Sequence, residues 1–155
     1  MAMKEVELFR IVHSDQSPEC QMYLREKDKG RVFPVIIAMN EMAEIHRKVH
    51  GIDTRRPMTH DLFVALMRSQ ELELASVEIT ELKDDVFYAR MNFLGKGGRS
   101  FVLDARPSDA VAVATGLKTR LFASETILDE IGIVEADEPG TPGASDEQGP
   151  AAGPG

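Results

Sequence analysis

Between Leu103 and Ala114 the hydrophobic pattern changes its period within a few residues. Phe101 and Leu103 alternate as in a strand, and Arg106-Pro107 then opens the run Ser108-Asp109-Ala110-Val111-Ala112-Val113-Ala114. A strand must therefore end, turn a tight corner and enter a helix whose short side chains let it lie close to a sheet. Pro107 offers no backbone donor and biases Arg106 away from helical dihedrals, while Ser108 can cap the helix and Asp109 meets its positive end. Asp104, Arg106 and Asp109 thus concentrate charge where two elements meet. The corner is either a site or a self-satisfied ion pair that locks strand to helix.

Alternation predicts a strand over residues 4–13 and another through Cys20, Met22 and Leu24, with a turn at Lys27-Asp28-Lys29-Gly30. Residues 32–37 form a third strand, in which Pro34 argues for an edge position or a bulge. Asn40 can cap a helix to about Val49, with Met42, Ile45 and Val49 inward and Glu41, Glu44, Arg47 and Lys48 outward. Thr59 caps a second helix ending near Gln70, whose buried stripe is Leu62, Phe63, Leu66 and Met67. Three more strands follow, around residues 77–79, 86–93 and 101–103, joined by turns at Asp84-Asp85 and Gly95-Lys96-Gly97-Gly98. The small-residue helix runs from Ser108 to about Thr115 and stops at Gly116; a short strand over 119–123 and a last helix, capped by Ser124 and ended by Gly132, complete the pattern. Meander, helices, meander, helices is the order of an α+β fold, an antiparallel or mixed sheet of β-meanders with helices packed on it.

Beyond Glu135 the character changes. EADEPGTPGASDEQGPAAGPG has no aromatic residue, Lys or Arg, and cannot bury enough apolar surface to offset its chain entropy. Residues 1–134 are expected to form one domain and residues 135–155 a disordered acidic Gly/Pro/Ala-rich tail. Five acids fall in the tail, so a net charge of −8 for the whole chain becomes −3 for residues 1–134. No basic run is longer than Arg55-Arg56, so any nucleic-acid contact is local, metal-mediated or made by an oligomer that gathers scattered cations. The single cysteine, Cys20, excludes an internal disulfide and a Cys-rich zinc site. No apolar run approaches the ~18 residues of a membrane span, and MAMKEVELFR lacks a signal-peptide core, which points to a cytoplasmic protein without a membrane partner.

The chemistry-bearing residues cluster at helix starts. His60 and Asp61 open the second helix after Arg56-Pro57, much as Asp109 follows Arg106-Pro107. If the two corners adjoin, Asp61, Asp104 and Asp109 could offer carboxylates to one Mg²⁺, an oxygen-preferring ion that keeps much of its water. His60 would serve as general base, and Arg56 or Arg106 would hold a phosphate oxygen. The competing reading is structural: an Asp in the first turn of a helix caps it, and Arg106 between two acids clamps them. No phosphate-binding Gly-rich loop, dinucleotide fingerprint, His-Glu-x-x-His or Gly-x-Ser-x-Gly occurs.

Arg56-Pro57-Met58-Thr59-His60-Asp61-Leu62 and Asp104-Ala105-Arg106-Pro107-Ser108-Asp109-Ala110 together resemble the two signature segments of the bifunctional nuclease family. Phe33-Pro34-Val35-Ile36-Ile37-Ala38-Met39-Asn40-Glu41 is similar to that family's strand-to-helix entry, with Glu41 in register. The likeness spans residues 6–133 and departs at Ala38, Met42 and Glu44. It implies a nuclease (DNase and RNase) acting on DNA and RNA, aided by a divalent metal, in an α+β fold that associates into homo-oligomers, dimers above all. On that footing the catalytic residues are His60, Asp61, Asp104 and Asp109, the substrate-binding residues Arg56 and Arg106, and the metal ligands Asp61, Asp104 and Asp109. The alternative is a non-catalytic oligomeric regulator or scaffold whose corner ions hold the fold together.

Overall fold

The computed structural model describes residues 2–135, so the segment expected to be an acidic tail lies, after Glu135, outside the described residues. The elements are β1 (Met3–His13), β2 (Glu19–Glu26), β3 (Arg31–Ala38), α1 (Met39–Val49), α2 (Thr59–Ser69), β4 (Glu73–Lys83), β5 (Val86–Leu94), a 3₁₀ turn (Lys96–Gly98), β6 (Ser100–Ala105), α3 (Pro107–Leu117), β7 (Leu121–Ser124), α4 (Glu125–Ile131) and β8 (Ile133–Val134). All eight strands join one mixed sheet in the order β6-β5-β4-β7-β1-β2-β3-β8. Only β4 and β7 pair in parallel, so the fold is α+β. Among the described residues no helix is long and apolar enough to cross a membrane.

Pro34 lies opposite Tyr23 on β2, on a strand whose other side meets β8 only at Arg31 and Val32. Its missing donor therefore faces an open edge, with no bulge. The sheet curls around its core. Phe33 of β3 stacks on Phe87 of β5 at 5.8 Å, although four strands separate them in the sheet. Across the inside runs α3, buried from Ala110 to Ala114 and packed on α1, β4 and β5. A Cβ added at Gly116 would lie 3.1 Å from Lys48 Cδ, a measure of how closely α3 and α1 approach.

Helix starts differ from the expected caps in a consistent way. Asn40, Thr59 and Ser108 all sit inside their helices; the N-caps are Ala38, Met58 and Arg106. In α1 and α2 an acid at the third helical position does the capping: Ala38 N–H donates to Glu41 Oε2 at 2.8 Å and Met58 N–H to Asp61 Oδ2 at 2.9 Å. In α3, Pro107 takes the first helical position, where a missing N–H is harmless. Gly116 is not its stop, since the helix runs on to Leu117 and Lys118 ends it in the left-handed conformation. Ser124 does cap α4, its side chain accepting from Thr126 N–H. Leu62 and Leu66, expected in the core, are exposed, and Val49 with them.

One buried ion pair ties the β2–β3 hairpin to α4. Glu26, at the end of β2 and fully buried, accepts from Arg31 Nε at 2.7 Å and Nη2 at 3.0 Å, while Arg31 Nη1 reaches Asp129 of α4 at 2.7 Å. The Arg31 hydrogen bonds outweigh burial and hold the Glu26 carboxyl below its usual range. Arg31→Met strands that charge in the interior. Urea unfolding is expected to register a loss of ~3–5 kcal/mol, most of it recovered when Glu26→Leu is added.

Candidate functional site

Three helix starts converge on one flank of α1. Residues 41, 44 and 47/48 recur at helical spacing, so Glu41, Glu44, Arg47 and Lys48 present a single row, to which α2 brings His60 and Asp61 and α3 brings Arg106 and Asp109. The result is a chain of alternating charges. Glu41 Oε1 accepts from Arg106 Nη1; Arg106 Nε donates to Asp109 Oδ2 at 2.9 Å; Asp109 Oδ1 lies 2.9 Å from His60 Nε2. His60 Nδ1 faces Glu44 Oε1 at 3.6 Å, Glu44 receives Arg47 through Nε and Nη2, and Arg47 Nη2 also reaches Asp61 Oδ2 at 2.9 Å. Lys48 closes the chain on Asp61 Oδ1.

The two signature corners are therefore joined directly, by a hydrogen bond between residues 49 positions apart. The ends of the network differ in exposure. Arg106 is the open end, its side chain 65% exposed, whereas Glu44, Arg47 and Lys48 are largely buried. These last three, expected to face outward, correct the reading of α1: Asp61, arriving from another helix, pairs with Arg47 and Lys48, and Arg47 in turn pairs with Glu44. Their spacing along α1 was the available signal, since it puts them on one flank with Glu41.

Asp104 and Arg56 stand apart. Asp104 is exposed on β6, opposite Arg90, and among the described residues its side chain makes no hydrogen bond or ion pair; Arg90 is engaged by Glu78. Arg56 lies exposed in the loop before α2, where its carbonyl accepts from the Thr54 hydroxyl. Among the described residues no three His, Cys, Asp or Glu side chains are grouped to hold a metal ion. Asp61 and Asp109 each carry two cationic or imidazole partners, and Asp104 stands apart from both.

Electrostatics follows the partners. The Lys48 ammonium, working against burial and joined by the Met58 amide and Arg47, holds the Asp61 carboxyl far below its ordinary value of 3.8. At Asp109 burial pushes upward, but the hydrogen bonds from Arg106 and His60 prevail and keep it low. A carboxyl whose folded value is depressed stabilises the fold above its unfolded value, and that stability is lost as pH falls through the folded one. Thermal melts are thus expected to fall steeply below about pH 4. Asp61→Asn should lose ~1–3 kcal/mol at pH 7 and show a flatter acid limb than the wild type.

The sequence has counterparts among known proteins. A model of the bifunctional nuclease domain matches residues 22–136, a span that contains every residue of the network. Two uncharacterized proteins of Mycobacterium tuberculosis, from strains CDC 1551 / Oshkosh and H37Rv, are each 32% identical over 136 residues, covering 88% of this chain and 80% of the relative. The corner formed by His60 and Asp109 thus sits in the middle of a domain-wide match, and the chain belongs to the bifunctional nuclease domain family.

Proposed function

We propose that this protein hydrolyses phosphodiester bonds in DNA and RNA at the open end of the ionic chain, where Arg106, Asp109 and His60 meet. The observation that carries the reading is the 2.9 Å contact between His60 Nε2 and Asp109 Oδ1, which joins the two family segments at a solvent-facing point. Arg106 spends Nε on Asp109 and Nη1 on Glu41, and Nη2 has no acceptor among the described residues. That free donor can take a non-bridging phosphate oxygen. An open cleft of about 610 Å³ extends from Arg106 and Glu41 over Phe87, Val86 and Ile36, with room for a nucleoside beside the phosphate.

In this reading His60 enters the reaction as an imidazolium, with Nδ1–H toward Glu44 Oε1 and Nε2–H toward the Asp109 carboxylate, and serves as the acid. Water attacks phosphorus and gives a proton to the Asp109 carboxylate, the P–O bond breaks, and the leaving oxygen takes the proton from His60 Nε2. Asp109 then returns its proton to His60 across the same contact. No step draws on a 2′-hydroxyl, so the mechanism serves DNA and RNA alike. Asp61 acts at a distance, as a positioning residue that holds α2 to α1. No step is routed through magnesium: the two carboxylates at this corner, Glu41 and Asp109, are both paired with side chains.

A scaffold reading has one observation in its favour: every carboxylate in the network already has a partner, as in a structural clamp. The two separate experimentally. Purified protein is expected to cut both single-stranded DNA and RNA, and Asp109→Asn and His60→Gln each to lower the rate by ~10²–10⁴-fold while the thermal melt stays cooperative. Assays with magnesium and with chelator measure metal dependence directly. Cleavage that survives in both variants would remove the corner from the chemistry; its absence from homogeneous wild type would leave the clamp.

A further inference from the structure

No basic run along the chain is longer than Arg55-Arg56, yet the fold gathers scattered cations in one place. Helices α1 and α3 run side by side from the corner, with Glu41 beside Arg106 at one end and Lys48 against Gly116 at the other. Where both helices end, an open cleft of about 800 Å³ lies between them and β1. Arg10, His46, Lys48, His50 and Lys118 line it and no Asp or Glu does, although the net charge of residues 1–134 is −3. Its apolar wall comes from an irregularity in β1. Strand β7 leaves β1 after Val6, and the pairing with β2 steps from Leu8 to Arg10, so that Phe9 is the extra residue of a bulge. A bulge re-aims its strand, and here the consecutive residues Leu8, Phe9, Arg10 and Ile11 all reach the cleft.

Cations near a helix C-terminus ordinarily answer its unpaired carbonyls and its dipole. Two of these five are committed to carboxylates, Lys48 to Asp61 and Arg10 to Glu135. The other three are not. Among the described residues the side chains of Lys118, His46 and His50 bond to no helix carbonyl and no acid, and the two imidazoles lie against each other with ring centroids 4.3 Å apart. We propose that this cleft binds phosphates of a nucleic-acid strand at a distance from the bond being cut, the identity of the ligand resting on the nuclease reading above. Its free donors suit phosphate oxygens, and Leu8, Phe9 and Val49 give sugars and bases an apolar wall, the pairing of features found in grooves for single strands. The way to it from the corner is continuous. A smaller cleft of about 290 Å³ shares Lys48, Gly51 and Gly116 with the first, is also lined by Arg68, and reaches Asp61, the neighbour of His60. Along α3 the distance from Arg106 to Lys118 is ~18 Å at the rise of a helix, beyond the span of a dinucleotide and within that of a strand of several nucleotides.

Fluorescence anisotropy with a labelled phosphorothioate deoxyoligonucleotide of about twelve residues, which resists cleavage, measures the site on the full-length protein. Lys118 ends α3 with φ of 58°, a conformation that asparagine tolerates better than lysine, so Lys118→Asn removes the charge without straining the fold. It is expected to weaken binding ~3–10-fold and to make the slope of log affinity on log salt shallower by ~0.7. Val49→Glu, at an exposed position in the cleft, should weaken binding further, whereas Lys29→Asn, in the β2–β3 turn, should leave it unchanged. Cleavage of a dinucleotide, too short to reach the cleft, should be the same in Val49→Glu as in the wild type. Binding indifferent to Lys118→Asn and Val49→Glu, or weakened as much by Lys29→Asn, would overturn the proposal. So would a nucleoside triphosphate that binds as tightly as the oligonucleotide and is lost in the same variants, since the cleft would then take a free nucleotide. A wild type that cuts nothing but whose binding is lost in these variants would uphold the cleft and count against the corner alone.

Discussion

The burial of α3 is the constraint from which the rest of the molecule follows. A helix that crosses the inside of a curled sheet beneath a second helix can carry no charge along its length, and from Ala110 to Leu117 this one carries none. Its polar groups are confined to its ends. The backbone N–H groups of its first turn, unpaired within the helix, open at the corner where Arg106 and Asp109 stand. The site is thus where it is because the core leaves α3 nowhere else to be polar. The same confinement explains the small side chains: with alanine and valine at the contact, α1 approaches closely enough for Lys48 to lie against Gly116.

All three helices of the site carry an acid at the third helical position, Glu41, Asp61 and Asp109, yet the three acids do different things. Glu41 and Asp61 each accept the backbone N–H of their own N-cap residue, which anchors one carboxylate oxygen. Asp109 accepts the side chain of its N-cap residue instead, Arg106 Nε. A side chain can leave where a backbone amide cannot. Asp109 is therefore the carboxylate of the three whose partners are both side chains, one of them on another helix, which is what the proposed reaction requires of it.

Much of the fold was legible because strand period and turn chemistry are local. Residues 3–13, 19–26 and 86–94 pair much as their alternation indicates, and Asp84-Asp85, both with positive φ, form the tight hairpin turn that their identity suggests. The two-residue β8 was not legible, since Ile133 and Val134 have too little length to show a period. Asn40, Thr59 and Ser108 misled by chemistry: each is a good N-cap residue, but each lies within a turn whose cap is supplied elsewhere, by an acid or by Pro107. Of the site, the two corners could be read from composition, whereas Glu44, Arg47 and Lys48 could not be placed. Burial of a charge depends on its counterpart: Asp61, which pairs with Arg47 and Lys48, is 14 and 13 residues away from them on a different helix, and Glu44 in turn pairs with Arg47.

Asp104 and Asp109 stand five residues apart in one motif, and the geometry between them separates their tasks. Pro107 fixes a turn that sends the chain from the last strand of the sheet into its interior, so residues before it belong to an edge and residues after it to a core. Asp104, on the edge side, has no side-chain partner among the described residues; Asp109, on the core side, is drawn into a network spanning three helices. A motif that reads as one cluster of carboxylates along the sequence is in space two surfaces back to back. The acid on the inner surface is the one that the proposed reaction uses, and the acid on the outer one takes no part in it.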